Sequence, residues 1–370
     1  MSAEGRRLRE GAAAAPPIFN WGLVSKYRGE LFGFAILWIM LLHSHEMKPI
    51  PHNPYISRYL LYDSWVRIGG TGVDVFLFLS GIGLFYAMGK KPGLLSFYGK
   101  RLKRILIPYL IIGTVYWWLR HYIFLHTPER FWEDLSLVSF FTRGVVTFWY
   151  IVLILCLYLA APLLLALFRT RLRTPILIVC FGLYLAFNCW LAARDPHRFH
   201  YLEKATTRFF IFTLGCYFGQ IVYEKRAMSR LWVLYGILVM TCHNLVPFVV
   251  KLHAHFMPVK LSKRMWCGAA ALALCALLPI LLELLQAERL NRFLSYMGSI
   301  SLELYLSHVA LKNIVRMSCP DMQSWRTSKC LIVYGVVVIL GATLFSSLFH
   351  LIQTRIEGAI ASKRKEKSPQ

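Results

Sequence analysis

Ile68-Gly-Gly-Thr-Gly-Val-Asp-Val-Phe-Leu-Phe-Leu-Ser-Gly-Ile-Gly-Leu-Phe-Tyr-Ala-Met88 decides the class of fold. A helix rises about 1.5 Å per residue, so an apolar stretch of about 20 residues can cross the roughly 30 Å hydrocarbon layer of a bilayer. Asp74 sits inside this one. A charged group at that depth costs about 3 kcal/mol on insertion scales, so it marks either a functional site or a hydrogen bond between helices.

Outward from this segment, similar apolar runs recur from Leu31 to Gln353 with no soluble-length stretch between them. Across 370 residues, hydrophobic side chains make up 57% and charged ones 16%, against about 25% charged in a soluble domain. The mean hydropathy is +0.51. Breaks at Pro, Gly and charge clusters predict helices at 31–47, 66–88, 104–125, 147–168, 174–193, 206–224, 229–250, 265–286, 294–315 and 330–353. The expected architecture is an all-α polytopic membrane protein with about ten transmembrane helices. Residues 27–355 form one membrane domain, between a disordered basic tail over 1–26 and a basic tail over 356–370. The charged stretch Glu129–Gly144 reads as an interfacial helix carrying Phe131, Trp132 and Phe140.

The net charge of +24 lies in short clusters between apolar runs. There Lys and Arg orient helices against anionic lipid, so the expected surface partner is the bilayer and not nucleic acid. The N-terminal segment (Arg6, Arg7, Arg9, Lys26, Arg28) and the second connection (Lys90, Lys91, Lys100, Arg101, Lys103, Arg104) are more basic than the first loop. Both termini are therefore expected in the cytoplasm. The nine cysteines show no CxxC spacing, and most sit in apolar runs. Cys319 and Cys330 share a loop, which leaves a disulfide open if that loop is extracytoplasmic. His197, His200, His253 and His255 lack a convergent third ligand, so no metal is expected.

Few ionisable groups fall inside the predicted helices. On this topology His43 lies about 6 Å from the outer end of its helix, Asp74 about 12 Å and His308 about 10 Å from theirs, so the three can meet in one outward-facing polar pocket. Ser301, Tyr305 and His308 share a helical face, and Glu303 and Ser307 form a neighbouring pair. A histidine close to a carboxylate, which fixes its tautomer and stabilises the imidazolium, is a general-base candidate; the alternative is a packing histidine bonded to a backbone carbonyl. Arg101 and Arg104, three residues apart at the cytoplasmic mouth of the third helix, suit either a phosphate or lipid headgroups. Gly29/Gly33 and Gly215/Gly219 read as devices for close helix packing.

Several of these segments, in this order, resemble the membrane acyltransferase-3 family of cell-envelope glycan O-acyltransferases. Gly33-Phe-Ala-Ile-Leu-Trp-Ile-Met-Leu-Leu-His43 is similar to the family's opening stretch, which ends in the histidine regarded as catalytic. Gly72–Gly81 matches a GVDxFFxLSG pattern, and Arg101-Leu-Lys-Arg104-Ile with Pro108 and Tyr109 matches an RxxRIxPxY element. Phe148-Trp149-Tyr150, Arg208–Gly215 and Gly298–His308 are similar to three further elements. The family usually carries an arginine eleven residues before the catalytic histidine. Phe32 stands there in this chain, and Arg28, one turn earlier, is the candidate replacement.

The resemblance implies acyl-CoA, commonly acetyl-CoA, as donor substrate from the cytoplasm, with no tightly bound cofactor. The acceptor is a hydroxyl of a carbohydrate or glycolipid, and the location is a bacterial inner membrane. Arg101, Arg104 and Arg28 would hold the donor. His43 would be the base, oriented by Asp74 or another polar group, with His308, Tyr305 and Glu303 in the catalytic set. Ser80, Trp149, Tyr150, Arg208 and Ser301 would line the pocket. Tyr305, His308 or Ser80 could donate to the oxyanion. A proton-coupled transporter and a non-catalytic family member are the competing readings.

Overall fold

A computed structural model of the chain describes residues 19–47, 66, 68–90, 93–242, 257–325 and 327–366. The described residues fold into a helical bundle with no β-strand. The helices that position the site are α1 (Arg28–Met47), α2 (Thr71–Gly89), α3 (Leu94–Trp118), α4 (Trp149–Leu167), α5 (Arg173–Arg194), α6 (Pro196–Thr206), α7 (Phe209–Tyr223), α8 (Arg230–Thr241), α9 (Val259–Leu285), α10 (Glu288–Ser299), α11 (Ser301–Ser318) and α12 (Gly341–Glu366).

Among the described residues six helical stretches are long and apolar enough to cross a membrane, so the chain is an all-α integral membrane protein. They are Ile68–Gly89, Leu94–Phe124, Trp149–Leu167, Arg173–Arg194, Val259–Leu285 and Lys329–Ile356. The other expected spans map onto less regular elements. The span expected over 31–47 lies in α1, whose 20 residues end in a His43–His45–Glu46 polar stretch. The one over 206–224 falls on the 15-residue α7, and the one over 229–250 on α8, after which residues 243–256 lie outside the described set. The ninth, 294–315, is divided at Ile300 between α10 and α11. Gln286, in the left-handed region at φ +44°, ends α9 and turns the chain back towards α10.

Helical structure reaches into both segments that composition marks as tails. At the N-terminal side, Trp21 is buried edge-on against Phe218 and Trp232, and Gly22–Lys26 is helical. At the other end α12 runs through Glu366, since no helix breaker comes before Ser368-Pro369. The stretch expected as one interfacial helix is broken into Phe131–Leu135 and Ser139–Thr142, with Leu137 at φ +66° between them. Phe131 and Phe140 are buried there and Trp132 is 72% exposed. Cys319 and Cys330 are both free thiols.

The Ile68–Gly89 segment is the axis of the bundle: 78% of its window is buried, against 17% for Arg173–Arg194 at the rim. Large apolar side chains such as Ile178, Leu183 and Trp190 on α5 and Leu344 on α12 are exposed, the surface a lipid-facing helix presents. Small residues bring the inner helices together. A Cβ on Gly33 would collide with the Leu294 carbonyl of α10, and one on Gly298 with the Gly29 carbonyl of α1. Gly215 of α7 is pressed in the same way on the Phe78 carbonyl of α2. Close backbone approach without side-chain intervention is how apolar helices gain dispersion energy where lipid removes the hydrophobic drive.

Candidate active site

Position along α1 separates two regions. Arg28 opens the helix and His43 lies 15 residues later, about 22 Å away at 1.5 Å per residue.

At the arginine end, a cavity of about 380 Å³ opens between α1, α2, α3, α4, α10 and α11. Arg28, Arg101 and Arg104 all line it, and among the described residues no carboxylate does. Arg101 and Arg104 share a face of α3 because they are three residues apart. Arg28 folds back so that its guanidinium lies 5.1 Å from the Phe32 ring and against Gly83 of α2, where a Cβ would collide with it. Its Nε is buried without a hydrogen-bond partner. The three guanidinium groups thus converge on one cavity, and Phe32 supplies an apolar wall beside the first of them. Tyr158, which the sequence reading missed, lines the same wall as Tyr150, two turns apart on α4.

The cavity runs towards the histidine end and closes on Ile39 and Tyr305, each about one turn short of a histidine. Ser80, Tyr150 and Ser301 line it as expected. Beyond it, the His43 and His308 rings face each other, with His43 Nδ1 2.8 Å from His308 Nε2. His308 is fully buried, and its Nδ1 lies 2.6 Å from the Leu304 carbonyl of its own helix. A carbonyl only accepts, so His308 Nδ1 carries the proton and donates it. With both rings neutral, His308 Nε2 then accepts from His43 Nδ1–H, and the lone pair of His43 is fixed on Nε2. Tyr305 packs edge-on to both Tyr150 and His308, and its hydroxyl is buried with no partner.

Asp74 is not the group that orients His43. Its Oδ1 lies 3.5 Å from Arg208 Nε, and both side chains are 2% exposed. Arg208 also donates from Nη1 to the Lys204 carbonyl (2.7 Å) and stacks 4.7 Å over the Trp149 ring. Desolvated charges need a partner at short range, and α7 delivers a guanidinium where the first turn of α2 places the carboxylate. Asp74, Trp149 and Arg208 therefore form a cluster of their own off the cavity wall. The cluster adjoins the histidine end, since a point beside Gly70 lies 3.8 Å from both Arg208 Nη2 and Leu42 Cδ2. Asp74 Oδ2 is buried without a partner.

Glu303 does not line the cavity either, but its carboxylate lies close enough to Arg104 to interact with it. Ser307, one turn along the same face, bonds 3.0 Å to Ser346, so this face of α11 packs on α12. Lys312, one turn beyond His308 and buried, escaped the sequence reading although its i+4 spacing from His308 was visible.

A second buried ionic group closes the loop side. His121, in a π-helical turn that extends α3, bonds 2.7 Å to Asp134, which also takes a 2.5 Å bond from Arg143. Its other ring nitrogen lies 2.8 Å from Thr127 Oγ1, so every polar atom of this imidazole is engaged in holding the loop. Of the outer histidines, His200 Nδ1 lies 3.1 Å from Lys260 Nζ; His253 and His255 lie outside the described residues. No group of three His, Cys, Asp or Glu able to hold a metal occurs among the described residues.

A family model described as an acyltransferase domain matches residues 33–351. Comparison with curated proteins and with solved structures gives no match.

Proposed function

This chain belongs to the membrane acyltransferase-3 family, and from that premise we propose that it moves an acyl group of acetyl size from acyl-CoA to a hydroxyl of a lipid-linked or extracytoplasmic carbohydrate. The observation that carries the reading is the continuous arrangement from three arginines that converge on one cavity of about 380 Å³ to a pair of hydrogen-bonded histidines.

In this mechanism Arg101, Arg104 and Arg28 bind the donor's phosphates from the cytoplasmic face, with guanidinium forks that match phosphate oxygens. The acyl-pantetheine arm fills the cavity and brings the thioester carbonyl towards Tyr305. His43 Nε2 takes the proton from the acceptor hydroxyl, whose oxygen attacks the thioester carbon. His308, anchored on the Leu304 carbonyl, keeps the His43 lone pair on the correct nitrogen and shares the charge of the imidazolium that forms. The Tyr305 hydroxyl, buried and unpartnered, donates to the oxyanion. On collapse the C–S bond breaks, the thiolate takes the proton from His43, and ester and free CoA leave.

The test is transfer of radiolabelled acetyl from acetyl-CoA to envelope glycan in vesicles of a bacterial inner membrane carrying wild type or His43→Ala. Labelling by the wild type alone, with acetyl-CoA binding kept in the variant, supports the reading. Equal labelling by both removes His43 as the base, and absence of acetyl-CoA binding in the wild type removes the donor.

A further inference from the structure

A second cavity, about 870 Å³, lies beyond Arg101 and Arg104 on the side away from the histidines. It shares those two arginines with the first cavity, so they stand at the junction of a wide chamber and a narrow one. Lys90 and Lys100 add two more cations to its wall, and among the described residues no carboxylate lines it. Its remaining character is aromatic. Tyr86 and Tyr223 meet edge to face at 5.4 Å, and Phe85 lies 6.1 Å from Tyr223. The Phe85 side chain is pressed onto Gly219 of α7, which leaves no room for a Cβ against it. Tyr223 is 61% exposed, so this ring is open to a ligand while its neighbours are fixed.

A flat π-face beside clustered cations is the chemistry of a nucleotide site: stacking takes the base without reading its edge, and the cations take the phosphates. The volume lies within the range of about 300–1,000 Å³ that small-molecule sites occupy. We propose that this chamber holds the adenosine 3′-phosphate 5′-diphosphate end of the donor. The purine stacks on Tyr223 beside Tyr86, Lys90 and Lys100 grip the 3′-phosphate, and Arg101 and Arg104 grip the 5′-diphosphate at the junction. The rest of the molecule passes Arg28 into the narrow cavity. This assignment rests on acyl-CoA being the donor. It adds that recognition is divided, with base and 3′-phosphate read in a room the reacting carbonyl never enters.

The experiment uses the full-length protein in detergent, with acetyl-CoA, acetyl-dephospho-CoA, acetyl-pantetheine and adenosine 3′,5′-diphosphate as probes. The wild type is expected to bind acetyl-CoA in competition with adenosine 3′,5′-diphosphate. Tyr223→Ala should lower the affinity for acetyl-CoA relative to acetyl-pantetheine about tenfold, the scale of one base stacked on one ring. Lys90→Ala/Lys100→Ala should erase the preference for acetyl-CoA over acetyl-dephospho-CoA. These three side chains are at the surface, and retained acetyl-pantetheine binding reports an intact fold. Acetyl-CoA binding that adenosine 3′,5′-diphosphate does not displace, or that keeps its 3′-phosphate preference in the double variant, overturns the chamber's assignment and leaves the donor standing. A wild type that binds no acetyl-CoA takes down the donor and the chamber together.

Discussion

The two ends of this bundle handle charge in opposite ways. At the histidine end the buried charges meet partners, Asp74 with Arg208 and Glu203 with Lys260 and Arg264, and the His43 ring is hydrogen-bonded to His308. At the arginine end, Arg28, Arg101 and Arg104 crowd one cavity that no carboxylate of the described residues lines. Paired groups hold a fixed geometry ready for a reaction. Unpaired cations at close range repel one another, and an anion relieves that repulsion on binding. The first is the arrangement chemistry needs, the second the arrangement a polyanionic ligand needs.

If the histidine end performs the chemistry, His43→Ala should lower acetyl transfer by about 10³-fold, within the range for removing a general base, while acetyl-CoA affinity stays within about twofold as read by direct binding. The paired charges beside it make a stability prediction. Asp74→Ala leaves Arg208 buried and uncompensated at a cost of about 3–5 kcal/mol, whereas Asp74→Leu/Arg208→Met should regain most of that loss because neither charge is then buried. Thermal unfolding in detergent checks it; equal losses in the single and double variants would mean that the pair is not coupled.

The arginine end should respond in affinity. Arg101→Ala/Arg104→Ala is expected to raise KM for acetyl-CoA about 10- to 100-fold, the range for one or two charged hydrogen bonds at about 1.5–3 kcal/mol each, with a far smaller change in kcat. Added salt should weaken wild-type binding more than binding by this variant. The smallest effect concerns the displaced arginine. Arg28→Ala should cost about tenfold in acetyl-CoA affinity, again one charged hydrogen bond, and Phe32→Arg in that background should restore it, since both residues line the same cavity. Failure of the second change to rescue would show that the Arg28 position is not interchangeable with its neighbour's.

Periodic apolar runs made the membrane class legible, because a bilayer dictates segment length and composition directly. Residue type and local spacing marked His43, Asp74, His308 and the arginine pair for the same reason: polar groups at depth are costly and therefore conspicuous. The cavity-lining face of Ser301 and Tyr305 followed from helical period alone. Partnership was hidden. The sequence offered Asp74 or another polar group as the partner of His43; the ring is hydrogen-bonded to His308, 265 residues away along the chain, and Asp74 pairs with Arg208. Likewise nothing in the runs foretold Tyr223 beside Tyr86, or Lys312 buried one turn from His308.

Composition and local pattern by themselves determined that the chain is a helical membrane protein and which ionisable side chains lie within its helices, because burial cost and helix period act within single segments. Only the tertiary structure decided which of those side chains meet. Helix crossings set by Gly29, Gly33, Gly215 and Gly298 bring together residues hundreds of positions apart, and a one-turn shift at any crossing would pair different groups.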